Sequence, residues 1–211
     1  MLTPGWRIFL SAVLAFFAFL MIRITLPYLS FETDVAFLRI KQWIIHHDVW
    51  RIAFFVHVLT SMFLLIAGFT QFYNPFKNKM VNIHRTMGKL YIIVLLLLSG
   101  PAGFIMSLYA NGGLLSQTAF TILSVLWIFF TVKAYLAIRN RDFVQHGNFM
   151  IRSYALTLSA LTLRAWKFLL VILFHPHPMD AYMLVAWLGW VPNLILAEYL
   201  IRKKLSRKIL T

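Results

Sequence analysis

An all-α bundle of membrane-spanning helices is the fold class this sequence predicts, on three observations. Hydrophobic side chains make up 61% of the 211 residues and charged ones 12%, against about 45–50% and about 25% in soluble domains. The apolar residues come in runs of bilayer length rather than in short alternating stretches. Basic residues collect in alternate connections, as they do where charge orients a polytopic chain. The excess of 20 Lys and Arg over 6 Asp and Glu, +14 at pH 7, therefore belongs to loops and lipid headgroups rather than to nucleic acid. With no cysteine, disulfides, thiolate metal sites, iron–sulfur clusters and cysteine nucleophiles are excluded together.

The runs predict six spans in a single domain covering 1–211. They lie at about residues 6–26, 51–73, 87–109, 117–138, 148–174 and 181–201. Each is close to the length that crosses ~30 Å of hydrocarbon at ~1.5 Å per residue. The first has a basic start, Arg7, but no small-residue cleavage site follows, so it is expected to stay as an anchor. The fifth is long and is expected to tilt. Between the first two spans, Phe31, Val35, Leu38, Ile45 and Val49 recur near helical spacing. An amphipathic helix is expected in this first outer loop, on the membrane surface or as a lid over the bundle.

Orientation follows from the connections. Lys77, Lys79, Arg85 and Lys89, then Arg139, Arg141 and Arg152, then Arg202, Lys203, Lys204, Arg207 and Lys208 mark one side. Residues 110–117 and 175–180 hold no Lys or Arg, and only the first outer loop, where Glu32, Asp34 and Asp48 offset Arg39 and Lys41, breaks the contrast. The positive-inside rule then places both termini in the cytoplasm.

Small and polar residues mark the helix faces that meet inside a membrane bundle. In the fifth span, His146, Met150, Ser153, Thr157, Ala160, Arg164 and Lys167 follow at steps of four and three, a single face. The second span carries His57, Ser61, Leu64, Gly68 and Gln71, the third His84, Gly88 and Tyr91, and the sixth Pro192, Asn193 and Glu198. Gly100, Pro101 and Gly103 predict a kink or a close approach in the third span.

Two polar clusters result, one near each surface. His84 and His146 share the cytoplasmic level, beside Arg85 and Arg152. His57, Arg164 and Lys167 share the outer level. Ionisable residues within a span cost at least ~2.5–3.5 kcal/mol to insert and usually serve a function. Two imidazoles from different helices suit the axial positions of haem b, with Arg152, Arg164 and Lys167 offsetting anionic groups. His84 and His146 form the better ligand pair. His57 is a second-site ligand or a quinone contact, since the fourth span offers no histidine opposite it. The alternative is that these groups snorkel or bridge helices only. A third option is a copper or zinc site from His46, His47, Asp48, His175 and His177.

The expected function is electron transfer within the membrane, from a quinone-type donor or to a redox partner protein. The rivals are a non-catalytic membrane subunit or assembly factor and, less favoured, a transporter, for which no inverted repeat is visible. Hydrolase and nucleotide-binding motifs are absent.

At HRTMGKLY (residues 84–91) and HGNFMIRSYA (residues 146–155), followed by Leu163-Arg164, the chain resembles a family of bacterial predicted membrane proteins, domain of unknown function 2306. A histidine placed like His57 is part of that pattern. Gly147 stands where a basic residue is expected. The resemblance covers about residues 52–170 and implies a multi-pass protein of the bacterial inner membrane. More distantly the chain is similar to membrane haem proteins of the cytochrome b561 and ferric-reductase type, which use helix-borne histidines near both faces. Their histidine spacing differs, because the fourth span here lacks a ligand.

Overall fold

The computed structural model describes residues 4–71 and 81–203, with the side chains of residues 4–11 and 14 left aside. The expected basic residues Arg7, Lys77, Lys79, Lys204, Arg207 and Lys208 lie outside these described groups. The described chain is all-helical. Its α-helices are α1 (Pro4–Thr25), α2 (Asp48–Gln71), α3 (Val81–Val94), α4 (Gly100–Ser107) and α5 (Gly113–Arg139). After these come α6 (Phe143–Thr157), α7 (Ser159–Phe174), α8 (Pro178–Leu188) and α9 (Val191–Arg202).

Four stretches are long and apolar enough to cross a membrane: Asp48–Gln71, Val81–Ser107, Gly113–Arg139 and Pro178–Arg202. The α6–α7 pair makes a fifth if its bend is counted as one span. The first helix contributes a shorter apolar stretch, Ala15–Ser30.

Three of the spans are interrupted, and each interruption has a chemical cause. Between α3 and α4 a π-helical turn, Leu95–Ser99, precedes Pro101, which has no backbone N–H to continue the ladder. There the Gly100 N–H reaches the Leu95 carbonyl. Between α8 and α9 the chain turns at Gly189 and Trp190 ahead of Pro192. The α6–α7 junction bends by 40° at Leu158. Thr157 and Thr162 hydroxyls there donate back to the carbonyls of Ser153 and Leu158, both at 3.2 Å, a bonding pattern that bends helices. Asn193 of α9 fills the break, its amide donating to the Ala155 carbonyl at 3.1 Å and to Thr162 Oγ1 at 2.9 Å.

The expected helix of the first connection is not an α-helix. Residues 26–47 instead form two 3₁₀ turns, Leu26–Ser30 and Ala36–Lys41, followed by a further turn. Pro27 starts the first of them, and left-handed backbone at Phe31 (φ 56°) and Ala36 (φ 45°) separates them. Leu38 and Ile45 are buried as the periodicity predicts, while Phe31 and Val49 stay exposed. This cap seats Tyr28, Leu38, Ile44 and Ile45 on Trp50 and Phe54 at the start of α2.

The main core lies between α2, α3, α5 and α6, around Leu64, Tyr91, Leu95, Trp127, Met150 and Tyr154. At Gly68 the helices meet closely. A Cβ there would stand 2.2 Å from the Tyr154 ring, whose hydroxyl donates to the Leu65 carbonyl at 3.0 Å.

Candidate functional site

α3 and α6 face each other through Tyr91. Its hydroxyl lies 2.9 Å from Ser153 Oγ and 2.7 Å from Thr157 Oγ1. Trp127 Nε1 of α5 donates to the same Thr157 oxygen at 3.0 Å, and Thr131 Oγ1 lies 2.7 Å from Ser153 Oγ. All five side chains are buried. A closed ring of mutually satisfied hydroxyls is what a low-dielectric interior demands of polar groups placed there.

His84 and His146 stand seven residues before Tyr91 and Ser153, two helical turns towards the helix starts. His146 Nδ1 donates to the Ala134 carbonyl of α5 at 2.9 Å. In the neutral ring this fixes the tautomer and leaves the Nε2 lone pair for another partner. His84 Nδ1 is buried and has no hydrogen-bond partner among the described residues. The two expected histidines thus stand at one level of α3 and α6, each one seven-residue repeat before the Tyr91–Ser153 contact.

The cations expected beside the pair are arranged differently from one another. Arg152 is held by Glu198 of α9 through two bonds, Nε to Oε1 at 2.5 Å and Nη2 to Oε2 at 2.8 Å. Its guanidinium also lies over the Phe130 and Phe149 rings. Arg85 is exposed beside His84.

At the other end of the bundle, the cap closes over a cavity of about 230 Å³. Its walls come from Met21 of α1, from α2, α4, α5, α6 and the start of α7, from Tyr182 of α8, and from Phe37 and Lys41 of the cap. His57 projects from α2, with Nδ1 donating to the Ser99 carbonyl of the π-helical turn at 2.9 Å. Gly103 makes room for it, because a Cβ there would stand 2.9 Å from the imidazole. Trp127 meets the His57 ring edge-on at 6.3 Å. Through Trp127 and Thr157 the cavity wall thus joins the buried hydroxyl ring.

Residues 54–201 match the family described as predicted membrane protein, DUF2306. The chain belongs to that family. No curated protein and no solved structure matches it. The DUF2306 stretch holds His57, His84, His146, Arg152, Arg164 and Lys167, whereas the cap and Lys41 precede it.

Arg164 and Lys167 do not share the cavity with His57. Both are exposed on α7, and Arg164 Nη1 donates to the Ala160 carbonyl at 2.6 Å. The face that starts at His146 stays inward as far as Ala160, which lines the cavity, and beyond it Arg164 and Lys167 are exposed. His46, His47, His175 and His177 are exposed, and among the described residues no three His, Asp or Glu side chains gather as a metal site.

Two features escaped the sequence reading. Thr131 and Trp127 complete the hydroxyl ring from the span that lacks a histidine; the seven-residue spacing of Gln117, Ser124 and Thr131 was their signal. Lys41, which looks like a loop charge, is 2% exposed. Its ammonium donates to the Tyr109 carbonyl and sits 5.2–5.8 Å from the ring centres of Phe37, Trp43 and Trp50. Burial pushes it down to about 8 from an ordinary 10.5.

Proposed function

We propose that this chain is an electron-transfer protein that holds haem b between His84 and His146. The observation that supports the reading is that two imidazoles from different helices stand at one level of the bundle, seven residues before the Tyr91–Ser153 contact. One ring is fixed by the Ala134 carbonyl, and the other holds a buried nitrogen without a partner. Such a set suits haem b, whose iron takes two neutral imidazoles and exchanges single electrons when bound. His146 and His84 would hold the iron, and Arg85 stands nearest in sequence to offset propionate charge. Ala134 would keep the His146 ring oriented and its Nε2 electron-rich. Trp127, Thr157, Tyr91 and Ser153 line a polar route from this pair to the His57 cavity.

We further propose six spans in a bacterial cytoplasmic membrane, with both termini on the cytoplasmic side and α1 as the sixth span. Arg139 and Arg141 lie in the α5–α6 connection at the His146 end, while residues 108–112 and 175–177 at the cap end carry no Lys or Arg.

The test is a reduced-minus-oxidised absorption spectrum of the full chain, purified in detergent after expression with ample haem. A sharp α-band with a shifted Soret peak is expected. A flat spectrum from folded protein overturns the reading.

A further inference from the structure

The cap-end cavity holds hydrogen-bonding capacity that the protein itself does not use. Lys41 gives one N–H to the Tyr109 carbonyl and has no carboxylate partner among the described residues. Trp50, on the same wall, carries a buried indole N–H with no acceptor among them. Both are donors, so this end of the cavity is built for an acceptor oxygen. Seven residues further along α2, roughly 10 Å deeper at the helical rise, His57 offers the opposite. With Nδ1–H committed to Ser99, the neutral ring presents Nε2 as an acceptor for a hydroxyl.

An oxygen acceptor at one level and a hydroxyl at the other, separated by an apolar wall, describe a flat ring oxygenated at opposite ends. A fatty acid would satisfy Lys41 and Trp50 but would bring nothing to His57. Next to the cavity, across Leu65, lies a second space of about 290 Å³ bounded by α1, α2 and apolar side chains such as Ala18, Phe19 and Ile66. It has the character needed for a hydrocarbon tail. We infer that the Lys41–His57 cavity binds a tailed para-quinone or its quinol, with Lys41 and Trp50 donating to one ring oxygen and His57 Nε2 accepting from the hydroxyl at the other.

This inference stands on residues separate from the histidine pair, so it survives or fails independently of haem. The test uses the detergent-purified full chain and decylubiquinone, in both redox states, as the probe. Trp50 and Trp127 line the cavity and report binding by fluorescence quenching. Saturable quenching is expected. It should weaken at least tenfold in Lys41→Met and in His57→Leu, with quinol binding the more sensitive to His57. Lys41→Gln, which keeps a neutral donor, should fall between wild type and Lys41→Met. Thermal melting of each variant in the same detergent identifies any loss that is only unfolding. Linear quenching that is the same in wild type and both folded variants means partitioning into micelles and overturns the inference. So does saturable binding of dodecanoate that decylubiquinone fails to displace.

Discussion

Tyr91 Oη lies 2.9 Å from Ser153 Oγ, and each residue stands seven positions after a histidine of its own helix, His84 on α3 and His146 on α6. The hydrogen bond sets the relative register of α3 and α6. One repeat of seven residues nearer the helix starts, roughly 10 Å away, the same register places the two histidines at one level of the bundle.

Substituting His84 or His146 by Ala is expected to abolish the b-type spectrum without unfolding the protein. His146→Ala releases the Ala134 carbonyl and His84→Ala removes an unpartnered nitrogen, so neither breaks the hydroxyl ring. The difference spectrum and the melting temperature in detergent, measured together, separate ligand loss from misfolding. Spectra equal to wild type in both variants would exclude this pair as the ligands.

Removing the Tyr91 hydroxyl tests the register itself. In Tyr91→Phe, Ser153 keeps Thr131 and Thr157 keeps Trp127, so the ring loses one member rather than collapsing. The expected destabilisation is about 1 kcal/mol, since hydrogen bonds between membrane helices are worth less than their burial suggests. A combined Tyr91→Phe and Ser153→Ala cycle should show coupling between the two positions. Simple additivity would mean that the bond does not tie α3 to α6.

Gly68→Ala should be more damaging than any single hydroxyl deletion. The added methyl meets the Tyr154 ring at 2.2 Å, and the ring is anchored through its hydroxyl to Leu65 of the same helix as Gly68. Overpacking of this kind costs about 1–3 kcal/mol. The double variant Gly68→Ala with Tyr154→Leu should recover part of that loss by melting temperature, because the clash is removed even though the hydrogen bond is gone.

Arg152→Lys is expected to lower stability by about 1 kcal/mol, as a lysine replaces the two-point contact with Glu198 by a single one. Glu198 is partly exposed, which keeps the effect modest. The same loss from Glu198→Gln, and no further loss in the double variant, would identify the pair as the source.

Much of this arrangement is written locally. Apolar run length marks the spans, and the Ser, Thr, Gly and His rows mark the faces of α2, α3 and α6 that meet. The row in the fifth span fails beyond Ala160 for a definite reason. A face extrapolated at seven-residue spacing assumes a straight helix, whereas the chain bends at Leu158, where the Thr157 and Thr162 hydroxyls also donate back to the carbonyls of Ser153 and Leu158. Arg164 and Lys167 consequently leave the face on which Ser153 lies. Lys41 was hidden for the opposite reason. Its burial is tertiary, completed by Tyr109 in the turn after α4, although the aromatic residues at positions 37, 43 and 50 are visible in the sequence.

The charge on Lys41 gives the cavity a pH dependence whose sign is fixed by its surroundings. The rings of Phe37, Trp43 and Trp50 and the Tyr109 carbonyl surround the ammonium, the two acids nearest along the chain, Asp34 and Asp48, make no ion pair with it among the described residues, Asp48 being paired with Arg51 at 2.6 Å, and the other titratable side chains on the cavity are His57 and Tyr182. No anion therefore holds the proton on Lys41, and its pKa sits at about 8. Above that value the folded protein presents a neutral amine, a weaker donor, so decylubiquinone affinity should fall as pH rises from 7 to 9. Stability moves the other way. From about 8 to the ordinary 10.5 the unfolded chain binds more protons than the folded one, so unfolding becomes harder as pH rises through that window. Lys41→Met should flatten both profiles. A quinone titration and a melting series across pH 7 to 10 check the two slopes, and a fall in affinity that persists in Lys41→Met would assign the dependence to another group.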